Sequence, residues 1–182
     1  MNLTGKIIIA PPNVRGNFWA KSVIFITEHS STGSLGIVLG KRSKLTVKEF
    51  MSQCGIEANV PGIIYVGGPV NVKALTMLHS SEWGCSNTLH INNEFSISSS
   101  PDLLHRLAMD DRPKYYRLML GLCAWAPDQL ENELKGIPPY SHNFSWLTAS
   151  PNQNLVFGSD GSDQWTQSIE QSGTEFVQTV LA

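Results

Sequence analysis

Five histidines and three cysteines are the first residues to test for chemistry in this chain. Metal sites favour two ligands one helical turn apart or facing each other across a tight turn. His29, His79, His90, His105 and His142 offer no such pair. No metal and no cofactor is therefore expected. His29 and His79 each end an expected strand, so they could converge if those strands are neighbours; otherwise each simply bonds a backbone carbonyl. Nucleophilic catalysis finds no Gly-x-Ser-x-Gly elbow. Cys123 closes an apolar run and Cys54 lies on the inner face of an expected helix, so both read as buried and inert. Cys85, in the polar stretch Glu82 to Asn87, is the thiol expected to be reachable. No catalytic residue is assigned.

Two further patterns could bind rather than react. Gly67-Gly68 follows a short β-branched run, and adjacent glycines at a strand end can present amides to an anion. The same pair equally makes a tight turn, and neither the dinucleotide nor the P-loop fingerprint is present. Trp125, Gln129 and Glu133 are spaced by four, with a proline opening a helix between the first and second. They could line a groove; equally, the tryptophan packs and the glutamate complements the helix dipole. The candidate ligand-binding residues are thus His29, Gly67, Gly68, His79, Trp125, Gln129 and Glu133.

Charge narrows the partners. Thirteen basic residues stand against fifteen acidic ones, a net charge of −2. Phosphate contacts need a basic face. Lys41, Arg42, Lys44 and Lys48 form the one basic cluster, read as a solvated loop, and no helix-turn-helix pattern follows it. Nucleic acid is not expected as a partner of the isolated chain. A protein or a small molecule is expected instead. Ile7-Ile8-Ile9-Ala10 is too short for a signal or a span, and no other run approaches one, so no membrane association is expected. An odd cysteine count without close spacing speaks against a disulfide framework, and reduced thiols point to the cytoplasm. The glycosylation sequon at Asn143 is accordingly read as chance.

The elements that must position these residues are mostly strands. Lys6 to Ala10, Ser22 to Thr27, Gly36 to Leu39, Ile63 to Val66, Leu75 to Leu78 and Tyr115 to Leu122 are expected strands. Val23 to Ile26 forms a continuous apolar run, which predicts burial on both faces. Residues 22 to 39 read as a hairpin through Ser30 to Gly33, and a second joins Leu89-His90-Ile91 to Phe95-Ser96-Ile97. Four helices are expected. Thr46 and Glu49 form a capping box before Val47, Phe50, Met51 and Cys54. Ser99 or Ser100 caps a second with Pro101 at its first position, Pro127 opens a third, and a fourth runs from Asp163 to Ser172 with Gly173 after it. Strands outnumber helices without alternating, so one α+β domain over residues 1–182 is expected. A chain of 182 residues can bury roughly 70% of its unfolded surface unaided.

These pieces together resemble the YqgE/AlgH family. The resemblance is carried by Gly5 to Pro12, Phe18 to Val23, Glu28-His29, Ser31 to Leu39 with Gly33 and Gly36, and Tyr65-Val66-Gly67-Gly68-Pro69-Val70. It continues through Leu78-His79, Gly121, Trp125, Gln129-Leu130-Glu131 and Glu133 to Trp146-Leu147. Gly40-Lys41-Arg42-Ser43 stands where the family has an Asn-Arg/Lys-Pro sequence, Gly16-Asn17 replaces an Asp-Pro, and Ala124-Trp125-Ala126 replaces a Gly-Trp-Gly. Lys135 to Asn143 is longer and richer in proline than usual. All of these changes are expected in loops. The resemblance implies a mixed, largely antiparallel sheet bent into a barrel-like core with about four helices around it. The residues themselves favour a non-enzymatic binding or regulatory domain; the resemblance adds the alternative of a transcriptional regulator that contacts nucleic acid directly or through a partner.

Overall fold

The computed structural model describes residues 2–138 and 145–182. His142 and the sequon at Asn143 lie outside them. The chain runs β1 (Ile7–Ile9), β2 (Val23–Ser30), β3 (Gly33–Val38), β4 (Arg42–Thr46), α1 (Val47–Gln53), β5 (Ile63–Val66) and β6 (Val70–Ser80). It continues as β7 (Thr88–His90), β8 (Phe95–Ser98), α2 (Leu103–Ala108), β9 (Tyr116–Trp125) and α3 (Gln129–Lys135), and ends in β10 (Leu147–Ala149), α4 (Gln153–Phe157) and α5 (Gly161–Leu181).

The ten strands form one curled, half-barrel sheet in the order β10-β1-β2-β3-β9-β6-β8-β7, with β4 joined through β5 to β9. Strand β9 is its hub. One edge pairs with β6; the other pairs first with β5, in parallel, and then with β3. Among the described residues β5 with β9 is the parallel pairing and the others are antiparallel, so the mixed, largely antiparallel α+β reading holds.

Alternation divides the apolar runs between two cores. Ile7, Ile9, Val23 and Phe25 face a core closed by Phe95, Met119, Leu155 and Val156. Ile8, Ile24 and Ile26 face a second, with Cys123, Trp125, Leu130 and Trp146. Strands β1 and β2 are thus covered on both faces, which is why their sequence shows no polar alternation. A third core packs α1 and α2 on Ile64, Met77 and Leu118.

The structure departs from expectation at the ends of elements. Among the described residues there are five helices, one beyond the four the sequence marks, because α4 is a single turn whose Asn152 cap accepts from the Leu155 amide at 2.9 Å. Helix α5 does not stop at Gly173; it continues to Leu181. Helix α2 is not capped by Ser99 or Ser100: Asp102 precedes it without a side-chain cap. The basic segment at Arg42 is strand β4, paired with β5, rather than a loop, and Ala124-Trp125 ends β9. Cys54 follows the last residue of α1 and is exposed, since the helical spacing that placed it inward no longer applies there.

The capping box at α1 is as the sequence reads. Thr46 Oγ1 accepts from the Glu49 amide at 3.2 Å, and Glu49 accepts from the Thr46 amide at 2.9 Å. The Thr46 amide and hydroxyl both donate to the Glu49 carboxylate and hold it below its ordinary value. Thr46→Ala is expected to destabilise the protein by about 1 kcal/mol. A urea midpoint identical to wild type would show that this cap contributes nothing.

The three cysteines are free, with Cys54 exposed, Cys85 half-buried and Cys123 buried. Burial pushes the Cys123 thiol up to about 12. A maleimide reagent at neutral pH is therefore expected to modify Cys54 first and Cys123 after global unfolding, with three thiols counted in denaturant. Rapid labelling of Cys123 in the native protein would show that its core opens locally.

Candidate functional site

Helix α3 starts one turn after β9 ends, and this junction assembles the site. Asp128 takes a left-handed conformation, φ 61°, and swings the chain from strand into helix. The Gln129 side chain then accepts from the Ala126 amide at 3.0 Å. Its own amide nitrogen donates to Glu133 Oε1 at 2.9 Å, one helical turn along. Trp125 at the strand end donates from its indole to Glu133 Oε2 at 3.1 Å, and Trp146 donates to the same oxygen at 2.8 Å. Trp19 meets Trp146 edge to face, centroids 5.9 Å apart. Glu133 is 4% exposed. A buried carboxylate is tolerable only when its oxygens are met by donors, and here indoles and an amide meet them.

These groups line a small cavity of about 110 Å³ whose walls are Trp19, Trp125, Trp146, Pro69, Val70 and Cys123. Its chemistry is aromatic with one carboxylate. Of the residues singled out in the sequence, Trp125, Gln129 and Glu133 are thus in mutual contact. His29 stands next to them. Its hairpin partner Ser34 lies opposite Trp125 in the sheet, with Nδ1 2.9 Å from Ser34 Oγ and Nε2 3.2 Å from Glu131.

The other three are elsewhere or differently occupied. The Gly67 amide donates to Leu120 O at 2.8 Å and is engaged in the ladder, while its carbonyl accepts from Val38. A Cβ on Gly67 would stand 2.3 Å from Gly121 O, and one on Gly68 2.2 Å from Leu122. The diglycine lets two backbones touch, directly behind the cavity wall at Pro69 and Val70. His79 lies across from Tyr116, at the far end of β9 from Trp125. Strands β2 and β6 are separated by β3 and β9, so His29 and His79 do not converge. His79 is fully buried. Its Nδ1 faces Ser80 O at 2.9 Å and so carries the proton, which leaves Nε2 to accept from Ser98 Oγ at 2.8 Å. Burial holds it below the ordinary imidazole value. Among the described residues no group of three or more His, Cys, Asp and Glu could hold a metal, and no helix is long and apolar enough to cross a membrane.

Trp19 and Trp146 were not candidates from sequence, being distant in the chain from Trp125. Composition gives no signal for them, since the other two of the five tryptophans, Trp83 and Trp165, pack in different cores.

The fold and site define an α+β protein with a curled mixed sheet and a tryptophan-lined carboxylate cavity at one end of its central strand. The chain belongs to the AlgH-like family, whose model matches residues 7–177. It is 31% identical over 180 residues to a UPF0301 protein of Ruegeria pomeroyi, covering 96% of this chain and 94% of that one. A UPF0301 protein of Gluconobacter oxydans is 30% identical over 174 residues, 93% and 90% of the two chains. The solution structure of the AlgH protein from Pseudomonas aeruginosa superposes with a TM-score of 0.78 at 28% identity, covering 94% of this chain and 89% of that one.

Proposed function

We propose that the protein is a non-enzymatic binding or regulatory domain of the cytoplasm, and that the tryptophan cavity over Glu133 receives one group of a protein or small-molecule partner. The carrying observation is the convergence of three indoles and a buried carboxylate on a cavity the size of a single side chain. Aromatic walls with a carboxylate suit a compact group with an apolar body and a positive or hydrogen-bond-donating tip. A catalytic reading is weaker. Ser34, the hydroxyl beside His29, is 4% exposed and is not presented to a substrate.

Direct contact with nucleic acid is also the weaker reading. Lys41 is turned onto the Phe18 carbonyl and ring, and Arg42 is paired with Asp160 at 2.7 Å. Lys41 is thereby held against the protein itself, and the charge of Arg42 is partly offset by Asp160. The test is an NMR titration of the protein, reading the indole resonances of Trp125 and Trp146, with short peptides ending in lysine, arginine or leucine side chains. Saturable indole shifts with the cationic peptides, lost in Trp125→Leu, are expected. Unmoved indole signals with every peptide would remove the cavity as the binding site.

A further inference from the structure

A second cleft, of about 530 Å³, opens on the α5 side of the sheet and takes no part in the tryptophan site. Arg42, Tyr65, Arg117, Ser159, Asp160 and Gln167 line it, with Asp163 at its edge in the first turn of α5. Arg117, on β9, is 6% exposed. Its guanidinium stacks 4.6 Å over the Tyr65 ring and donates to Leu39 O at 2.9 Å and Ser159 O at 2.5 Å. No carboxylate lies within ion-pair distance of it among the described residues. Burial lowers its affinity for the proton.

Two backbone carbonyls, the Tyr65 ring and the charge of Asp160, which lies near without pairing, meet this buried cation only in part, since burial still outweighs them. A neutral amide side chain carries enough donors to meet both carbonyls, without the desolvation penalty. A guanidinium has further N–H groups beyond those two bonds, and Arg117 is one of the residues that line the cleft. The nearby carboxylate is already engaged: Asp160 Oδ2 accepts from Arg42 Nε at 2.7 Å and from the Tyr65 hydroxyl at 2.8 Å. Burial pushes the Asp160 carboxyl up, but the Arg42 and Tyr65 bonds outweigh it and hold the group below its usual value. The bond to Asp160 uses the Nε of Arg42 and leaves its terminal nitrogens toward solvent, on a side chain that is 65% exposed. Gln167 accepts from Ser159 Oγ at 3.0 Å through its oxygen, so its amide N–H groups remain available. The cleft therefore offers surplus donors from three directions: β4, β9 and α5.

We propose that this cleft binds a tetrahedral oxyanion, the phosphoryl group of a small phosphate compound, between Arg42, Arg117 and Gln167. A planar carboxylate presents two oxygens in one plane, whereas a phosphoryl group has oxygens for donors on several walls. Asp163 is the opposing charge. Two arginines face two aspartates here, so the site favours a singly charged phosphate over a fully ionised one, and removing the Asp163 charge should tighten binding.

The test is an amide-resolved NMR titration with inorganic phosphate, ionic strength held constant with sodium chloride. Saturable millimolar shifts are expected at residues 158–163, Arg42 and Gln167. Arg42→Gln, at an exposed position and checked for an unchanged urea midpoint, should weaken binding about tenfold, the loss of one charge-assisted hydrogen bond. Asp163→Asn should strengthen it severalfold. Parallel titrations with a nucleoside monophosphate identify the source: tighter binding than inorganic phosphate supports an organic phosphate, equal binding a free one. Absence of saturable shifts in wild type, equal affinity in both variants, or acetate binding as well as phosphate would each overturn the proposal.

Discussion

Gly121→Ala is expected to lower the stability of the fold by about 3 kcal/mol or more, a large part of the roughly 5–15 kcal/mol available to a domain. Two causes add. Gly121 has φ 80°, in the left-handed region that a β-carbon disfavours by about 1–2 kcal/mol. The new methyl would also stand 2.3 Å from the Gly68 carbonyl oxygen. That neighbour is backbone, itself held against Leu122 and Cys123, so no side chain can turn aside. The two contributions separate in controls. Gly55 has φ 77° with nothing within 4 Å, so Gly55→Ala should show the conformational part alone, about 1 kcal/mol. Gly173 lies open within α5, and Gly173→Ala should stabilise by about 0.5–1 kcal/mol. Urea midpoints for the three variants decide it. A Gly121→Ala loss no greater than that of Gly55→Ala would mean that the β5–β6 connection at Gly68 moves away from β9 at little cost and the close approach is incidental.

The same contrast shows how far the sequence could be read. Ile7 to Ile9 and Val23 to Ile26 are legible because two-sided burial removes the polar alternation, and Thr46 with Glu49 because a capping box is a local pattern. Strand β4 is not legible. Arg42, Ser43 and Lys44 are polar, and they are strand because β5 supplies the ladder, a long-range cause. Helix α5 passes through Gly173 because tertiary contacts hold both sides of it: Trp165 donates to Ala10 O at 2.6 Å, and Glu175 accepts from the Ser150 amide at 3.0 Å. Those bonds outweigh the propensity of one glycine. In the site, Gln129 and Glu133 are one helical turn apart and so could be paired from sequence. Trp19 and Trp146 reach the same carboxylate cavity from distant segments, which no spacing rule records. His29 and His79 look alike as strand ends, and strand order alone separates them.

The second large effect is expected at Glu133. Glu133→Ala should cost about 4 kcal/mol, the range for removing one member of a buried, charged hydrogen-bond network. The loss arises mainly from what stays behind. The indole N–H groups of Trp125 and Trp146 each lose an acceptor in a buried setting, where an unmet donor costs about 1–3 kcal/mol, and the half-buried Gln129 amide loses one as well. The vacated volume also enlarges the adjoining cavity of about 110 Å³. Glu133→Gln separates charge from shape. Its carbonyl oxygen can take the place of Oε2 and still accept from both indoles. Its amide nitrogen then meets the Gln129 amide, which cannot turn to accept without releasing the Ala126 amide. About one hydrogen bond is lost, so a decrease of about 1 kcal/mol is expected. The indole proton resonances give a second readout. In Glu133→Gln both should stay downfield and protected from exchange; in Glu133→Ala both should move upfield and exchange faster. Equal destabilisation by the two substitutions would assign the effect to charge rather than to donors left unmet. Unchanged indole signals in Glu133→Ala would show that the tryptophans are held by packing, and that Glu133 does not organise the cavity.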